Sequence, residues 1–124
     1  MTTRRRALGK HGEDVALEAL RASGYRILQQ NYRCPLGEID LIARQGRTLV
    51  FVEVKSEAAA SGIVPKARVD ARKQRKLSQV AQFYLKQKRL VDVSARFDVV
   101  QVRFHGERAP DVEIIRNAFV TPEQ

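Results

Sequence analysis

The chain is poor in cysteine, in aromatic residues and in acid. Cys34 is the one cysteine among 124 residues, which excludes a disulfide scaffold and an all-cysteine metal centre. Aromatic residues make up 6% and tryptophan is absent, so the core must be mainly aliphatic. No apolar run approaches the roughly 20 residues of a membrane-spanning helix. The opening Met1-Thr2-Thr3-Arg4-Arg5-Arg6 continues polar, without the apolar stretch of about 7–15 residues that a secretory signal needs. The expected compartment is therefore the cytoplasm, with no membrane partner. Acid is in deficit: 14 Asp and Glu stand against 23 Lys and Arg, a formal net charge of +9.

What is present is an ordinary globular balance, 44% apolar and 30% charged, in a length typical of one domain. Residues 1–124 are expected to form a single domain, with a flexible basic N-terminus over 1–10 and a flexible tail over 119–124. The positive charge is clumped. Arg4, Arg5, Arg6 and Lys10 open the chain with no acid among them, and Lys66, Arg68, Arg72, Lys73, Arg75 and Lys76 surround Asp70 alone. A small domain this basic suits a polyanion, nucleic acid above all; a solvated basic surface is the plainer alternative.

Periodicity predicts a helix from about His11 to Ser23, with Val15, Ala16, Ala19 and Leu20 on one stripe and Gly24 as its C-terminal cap. A strand follows over Tyr25 to Tyr32, then a turn at Pro35 and Gly37. Two strands, Glu38–Arg44 and Thr48–Lys55, flank Gln45-Gly46-Arg47 as a hairpin. Ser56 to Gly62 reads as a loop. A long helix spans about Asp70 to Lys88, with Asp70 as N-cap and Leu77, Val80, Ala81, Tyr84 and Leu85 at helical spacing. Ala95–Phe104 reads as a strand, and Val112–Ile115 as a short last one. The class is α/β, a mixed sheet of four to five strands flanked by helices, in the order α-β-β-β-α-β(-β).

A two-residue Gly46-Arg47 loop, with Gly first as a type II′ turn requires, pairs Gln45 with Thr48 and sets the register outward. Ile42 then faces Phe51, Leu41 faces Val52, and Asp40 faces Glu53. Alternation places Ile39, Leu41, Ala43, Val50, Val52 and Val54 on one apolar face. On the other face Asp40 and Glu53 become cross-strand neighbours with Cβ atoms about 5 Å apart. Carboxylates that close repel, and each raises the cost of ionising the other. A divalent cation reverses the argument, because hard cations take carboxylate oxygens. Lys55, two residues beyond Glu53, projects from the same face. In the structural alternative these are ordinary charges on an open face, with Lys55 paired to Glu38.

Glu13 lies along the apolar stripe of the first helix, three, four and seven residues before Ala16, Leu17 and Leu20. It is either a third functional acid or a first-turn Glu favoured by the helix dipole; its neighbour Asp14 is less well placed. Lys73 extends the core-facing stripe of the long helix toward the sheet edge, with Gln74 and Lys76 in the same turn, where phosphate contacts are physically easy. Asp98 is expected to pair with Arg96. His11, His105 and Cys34 have no partners that suggest chemistry.

Glu13 in a first helix, then Gly37-Glu38-Ile39-Asp40-Leu41-Ile42-Ala43, then Phe51-Val52-Glu53-Val54-Lys55, resembles the PD-(D/E)XK nuclease superfamily. More closely, the chain resembles the bacterial YraN-like family, which is similar to archaeal Holliday-junction resolvases. The likeness runs from Gly12-Glu13 through Lys73-Gln74-Arg75-Lys76-Leu77 to Arg96-Phe97-Asp98-Val99-Val100. It implies a restriction endonuclease-like fold in which Asp40 and Glu53, with Glu13 as the helix acid, hold Mg²⁺ or Mn²⁺, and Lys55 stands near the attacking water and the scissile phosphate. Ile39 replaces the proline of the superfamily's name, and the loop after Lys55 lacks the aromatic and basic residues of relatives.

The function expected on this basis is a metal-dependent endonuclease on structured or branched DNA, with Glu13, Asp40, Glu53 and Lys55 catalytic. Arg4, Arg5, Arg6, Lys10, Arg72, Lys73, Gln74 and Lys76 are the expected nucleic-acid contacts, flanking the acids if both helices border one side of the sheet. The alternatives are a non-catalytic nucleic-acid-binding protein that retains the fold, and a nuclease directed at RNA. A twofold homodimer would suit the two symmetric cuts that resolve a junction.

Overall fold

A computed structural model describes residues 3–58 and 69–119 of the chain, with side chains from Lys10 onward. The elements are α1 (Thr3–Ala22), β1 (Arg26–Cys34), β2 (Gly37–Gln45), β3 (Thr48–Ala58), α2 (Ala71–Gln87), β4 (Ala95–His105) and β5 (Arg108–Phe119). They form a five-stranded mixed sheet in the order β1-β2-β3-β4-β5. The hairpin neighbours are antiparallel, and β3 and β4 are parallel, as a crossover through a helix allows. The class and element order are those the periodicity predicts. No helix among the described residues is long and apolar enough to cross a membrane.

The helices cover opposite faces of the sheet. Val50 and Val52 of β3 pack with Ala16 and Leu20 of α1. Phe51, between them, packs with Leu77, Val80 and Tyr84 of α2. Both faces of the central strands are therefore buried, which is why the run Leu49-Val50-Phe51-Val52 of β3 is apolar without alternation. Tyr84 meets Tyr32 and Phe51 edge-on, with ring centroids 5.1 and 5.9 Å apart. The helices therefore do not border one side of the sheet, the condition on which the two basic segments would flank the acids.

Three boundaries differ from the pattern reading. α1 begins at Thr3 instead of near His11, because its polar first turns show no stripe yet are rich in good helix formers. β3 continues through Ser56, Glu57 and Ala58, which pair with Val102, Arg103 and Phe104 of β4; a strand partner orders residues of weak intrinsic preference. β5 is longer than Val112–Ile115, because a turn at Gly106 (φ +64°) returns it along β4 as a hairpin. The remainder of the expected loop lies outside the described residues, as do Lys66 and Arg68 of the basic run and residues 120–124.

Asp98 stitches the sheet. Its buried carboxylate accepts hydrogen bonds from Tyr25 Oη (2.7 Å), Arg96 Nε (2.9 Å) and the Asn117 amide (2.9 Å). The expected pairing with Arg96 is present, and with it Asp98 ties the chain entering β1 to β4 and β5. Burial and the Asp98 carboxylate both push the Tyr25 phenol up from its ordinary value.

Candidate metal and nucleic-acid site

The β2–β3 hairpin has the register deduced from its turn, from Gln45–Thr48 to Leu41–Val52, and Gly46 adopts φ +60°. The ladder stops there. One residue further, Asp40 Oδ2 accepts the Val54 amide N–H at 2.8 Å, so a side chain takes an amide that a continuing ladder would give to a carbonyl. Asp40 and Glu53 are brought together at the mouth of this opening, close enough for the Glu53 charge to act on Asp40. Glu53 is 8% exposed.

Alternation along β2 breaks at Asp40. Leu41 packs under α1, as expected, but Ile39 packs under α2 with Ile42, which corrects the placement of Ile39 on the Leu41 face. The cause lies across the strand pair. Asn31, between the pairs Gln30–Leu41 and Tyr32–Ile39, has φ +52°, the left-handed conformation that Asn tolerates better than most residues. The reversed pleat sets Asp40 between the two faces of the sheet, within electrostatic reach of Glu53 and of Glu13 on α1.

Burial is the largest influence on Asp40, and the Glu53 charge adds to it; against the Val54 amide they push its carboxyl up to about 7. Burial also raises Glu13, opposed chiefly by a hydrogen bond from the Asn31 side chain. Asn31 thus shapes the strand and holds the helix acid. Pattern reading missed it, and the available signal was an Asn inside a strand, opposite the acid.

Glu13 comes close to the sheet because Gly12 precedes it. A Cβ at Gly12 would overlap Ser56 Oγ and stand 2.7 Å from Ser56 Cβ, so only glycine lets α1 approach β3 here. On the other face Asp70 caps α2 by accepting the Lys73 amide at 2.9 Å, and Lys73 Nζ reaches Glu53 Oε2 at 2.8 Å. That hydrogen bond holds the Lys73 ammonium above its ordinary pKa.

Lys55 is half-buried beside Gln101 of β4 and has no acidic partner among the described residues. Glu38 pairs instead with Arg33 at 3.2 Å, which removes the Lys55–Glu38 alternative. Gln74 Nε2 is engaged with the Val69 carbonyl at 2.7 Å. Lys76 runs its stem across Gly37, where a Cβ would lie 3.3 Å from Lys76 Cε. Arg72 is exposed, and Lys10 is exposed opposite Asp14 on α1. The side chains of Arg4, Arg5 and Arg6 lie outside the described residues. Among the described residues no three acidic, imidazole or thiol groups converge as a metal cluster; the assembled unit is the pair Asp40–Glu53, with Glu13 nearby.

Fold and site together define a chain of the PD-(D/E)XK nuclease-like class. A model of the uncharacterised protein family UPF0102 matches residues 12–102. The chain is similar to a UPF0102 protein of Moorella thermoacetica, 47% identical over 120 residues that cover 96% of this chain and 100% of the relative. It is similar also to one of Syntrophus aciditrophicus, 50% identical over 111 residues, covering 90% and 87% of the two chains. A Geobacter sulfurreducens relative is 46% identical over 112 residues, covering 90% and 88%. The chain belongs to the UPF0102 family, the YraN-like group that its motifs resemble.

Proposed function

We propose that this chain is a Mg²⁺- or Mn²⁺-dependent phosphodiester hydrolase that cuts structured or branched nucleic acid, DNA in preference to RNA. The observation that carries this reading is the Asp40–Glu53 pair. The fold forces two carboxylates together at the end of a strand ladder, burying Glu53 and half-burying Asp40, at a cost reflected in the raised Asp40 carboxyl. A scaffold gains nothing from such a pair, whereas a divalent cation is stabilised by it. The Lys73 ammonium paired with Glu53 at 2.8 Å supports this reading, since that carboxylate already draws positive charge. Two carboxylates, completed by water and substrate phosphate, are a usual donor set for Mg²⁺.

In this reading Asp40 and Glu53 hold the metal, and Glu13, steadied by Asn31, adds negative charge from the helix side. When bound, the metal would neutralise charge on the phosphate oxygens and make a water more acidic. Lys55, without an acidic partner among the described residues, would meet the scissile phosphate or the attacking water. Arg72 and Lys76 on the outer turn of α2 would take neighbouring phosphates.

The test is a cleavage screen with Mg²⁺ and Mn²⁺ over duplex, flap, four-way junction and single-stranded substrates, in DNA and in RNA. Asp40→Asn, Glu53→Gln and Lys55→Ala should each lower cleavage by about 100-fold or more, a loss of the size expected for groups that act on the transition state. Lys55→Ala should weaken binding only modestly, since one cation is a small part of a polyanion contact. Cleavage at the parent rate by Asp40→Asn/Glu53→Gln would refute the reading. A binding module that keeps the fold is the second reading, favoured by the lack of a three-ligand cluster among the described residues. Tight binding with no cleavage of any substrate would select it.

A further inference from the structure

We propose that Lys73 is the resident counter-ion of Glu53, displaced when a divalent cation enters and released to contact phosphate, so that one side chain couples metal binding to nucleic-acid binding. This rests on reading Asp40 and Glu53 as the metal carboxylates. Its geometric basis is the 2.8 Å contact between Lys73 Nζ and Glu53 Oε2. The two ends of that contact are unequal. The Glu53 side chain is 9% exposed and that of Lys73 is 48% exposed, so the carboxylate is held in place while the ammonium sits at the surface. The Lys73 backbone is anchored by the Asp70 cap, and its four-carbon stem leaves the charged head free to swing about that anchor.

An ammonium and a divalent cation cannot share the same Glu53 oxygens, because their charges repel at contact distance. Metal binding therefore has to expel Lys73, and Lys73 lowers the apparent metal affinity by the fraction of chains in which it occupies Glu53. Once expelled, the ammonium keeps only Asp70 of its own helix turn as a nearby acid among the described residues, since Asp40 is taken by the same metal. It is left in the first turn of α2 with Arg72 and Lys76 nearby in the sequence, a helix N-terminus at which phosphate contacts are favourable. Lys55 has a different duty. It lies on the same strand face as Glu53 and carries no ion pair among the described residues, so it is available whether or not metal is present.

Mn²⁺ binding, measured by calorimetry and by electron paramagnetic resonance on the full chain, tests the first half. Lys73→Met should bind Mn²⁺ about 10-fold more tightly than the parent, the factor set by losing one charge-assisted contact. Lys73→Arg, which keeps the pairing, should bind like the parent. Anisotropy of a labelled junction with Ca²⁺ or with chelator tests the second half. The parent should gain more affinity on adding metal than Lys73→Met does. If Lys73→Met binds Mn²⁺ no more tightly while Asp40→Asn/Glu53→Gln abolishes binding, the counter-ion role is refuted and the metal site stands. If the double acid variant binds Mn²⁺ like the parent, the metal reading falls and the counter-ion role with it. An equal metal-induced gain in junction affinity for the parent and Lys73→Met would refute the release to phosphate.

Discussion

Asp40 holds its proton more tightly in the folded chain than in the unfolded one. Its carboxyl titrates at about 7 when folded, against an ordinary value of 3.8. Between those values the folded state keeps a proton that the unfolded state has lost, so stability falls as pH rises through this window and levels off above it. Asp40→Asn retains an acceptor for the Val54 amide and removes the charge. Urea midpoints at about pH 5 and about pH 8 should therefore differ less for Asp40→Asn than for the parent. Mn²⁺ should narrow the parent's drop, since a ligand that binds only the folded state stabilises it. An equal drop in both proteins would show that the proton is not held at Asp40. Asp98 makes the opposite case. It is also a carboxylate and is more deeply buried, yet its oxygens are filled by Tyr25, Arg96 and Asn117. Asp98→Ala would strand the Arg96 guanidinium and should cost about 3–5 kcal/mol of stability, with Mn²⁺ affinity of the folded fraction unchanged.

At the scale of elements, the site depends on how closely each helix approaches the sheet. α1 reaches β3 through Gly12, and there is no room for a Cβ against Ser56. Gly12→Ala adds helix propensity worth about 1 kcal/mol, but overpacking costs about 1–3 kcal/mol. The expected net result is a modest loss of stability together with a displaced Glu13 and weaker Mn²⁺ binding. Gly12→Ala/Ser56→Gly should recover both, and a double-mutant cycle measures the coupling. Loss of stability without recovery in the double variant would place the cause in the helix rather than in the contact.

At the scale of the whole molecule, the +9 charge either attracts nucleic acid diffusely or presents an oriented face. Arg72 and Lys76 lie at the acid end of α2, Lys86 and Lys88 at the other, with Lys88 Nζ 5.8 Å from the centre of the Tyr84 ring. Each phosphate contact on duplex DNA contributes a slope of about −0.9 in log affinity against log salt. Arg72→Gln/Lys76→Gln should flatten the slope by about 2, and Lys86→Gln/Lys88→Gln, which loses the same charge, by much less. Equal losses would mean that no face is preferred. If junctions are cut symmetrically, the active species should also be a twofold dimer, which sedimentation with bound junction would detect.

The elements, their order and the hairpin register were legible in the residues themselves. Apolar spacing and turn chemistry are local, and a one-residue slip would have turned every apolar side chain of the hairpin to the wrong face. The same logic placed Asp40 beside Glu53 and Asp70 at the head of α2. Only the tertiary structure decided what depends on contacts between distant segments. The helices took opposite faces because both sides of a buried mixed sheet need cover. β3 and β5 ran longer than their patterns because partner strands ordered them. The left-handed Asn31 reversed the pleat at Asp40 and moved Ile39 to the other face. The pairing of Lys73 with Glu53 is likewise tertiary: α2 packs against the sheet beside β3, so a helix lysine and a strand acid twenty residues apart meet without any local signal.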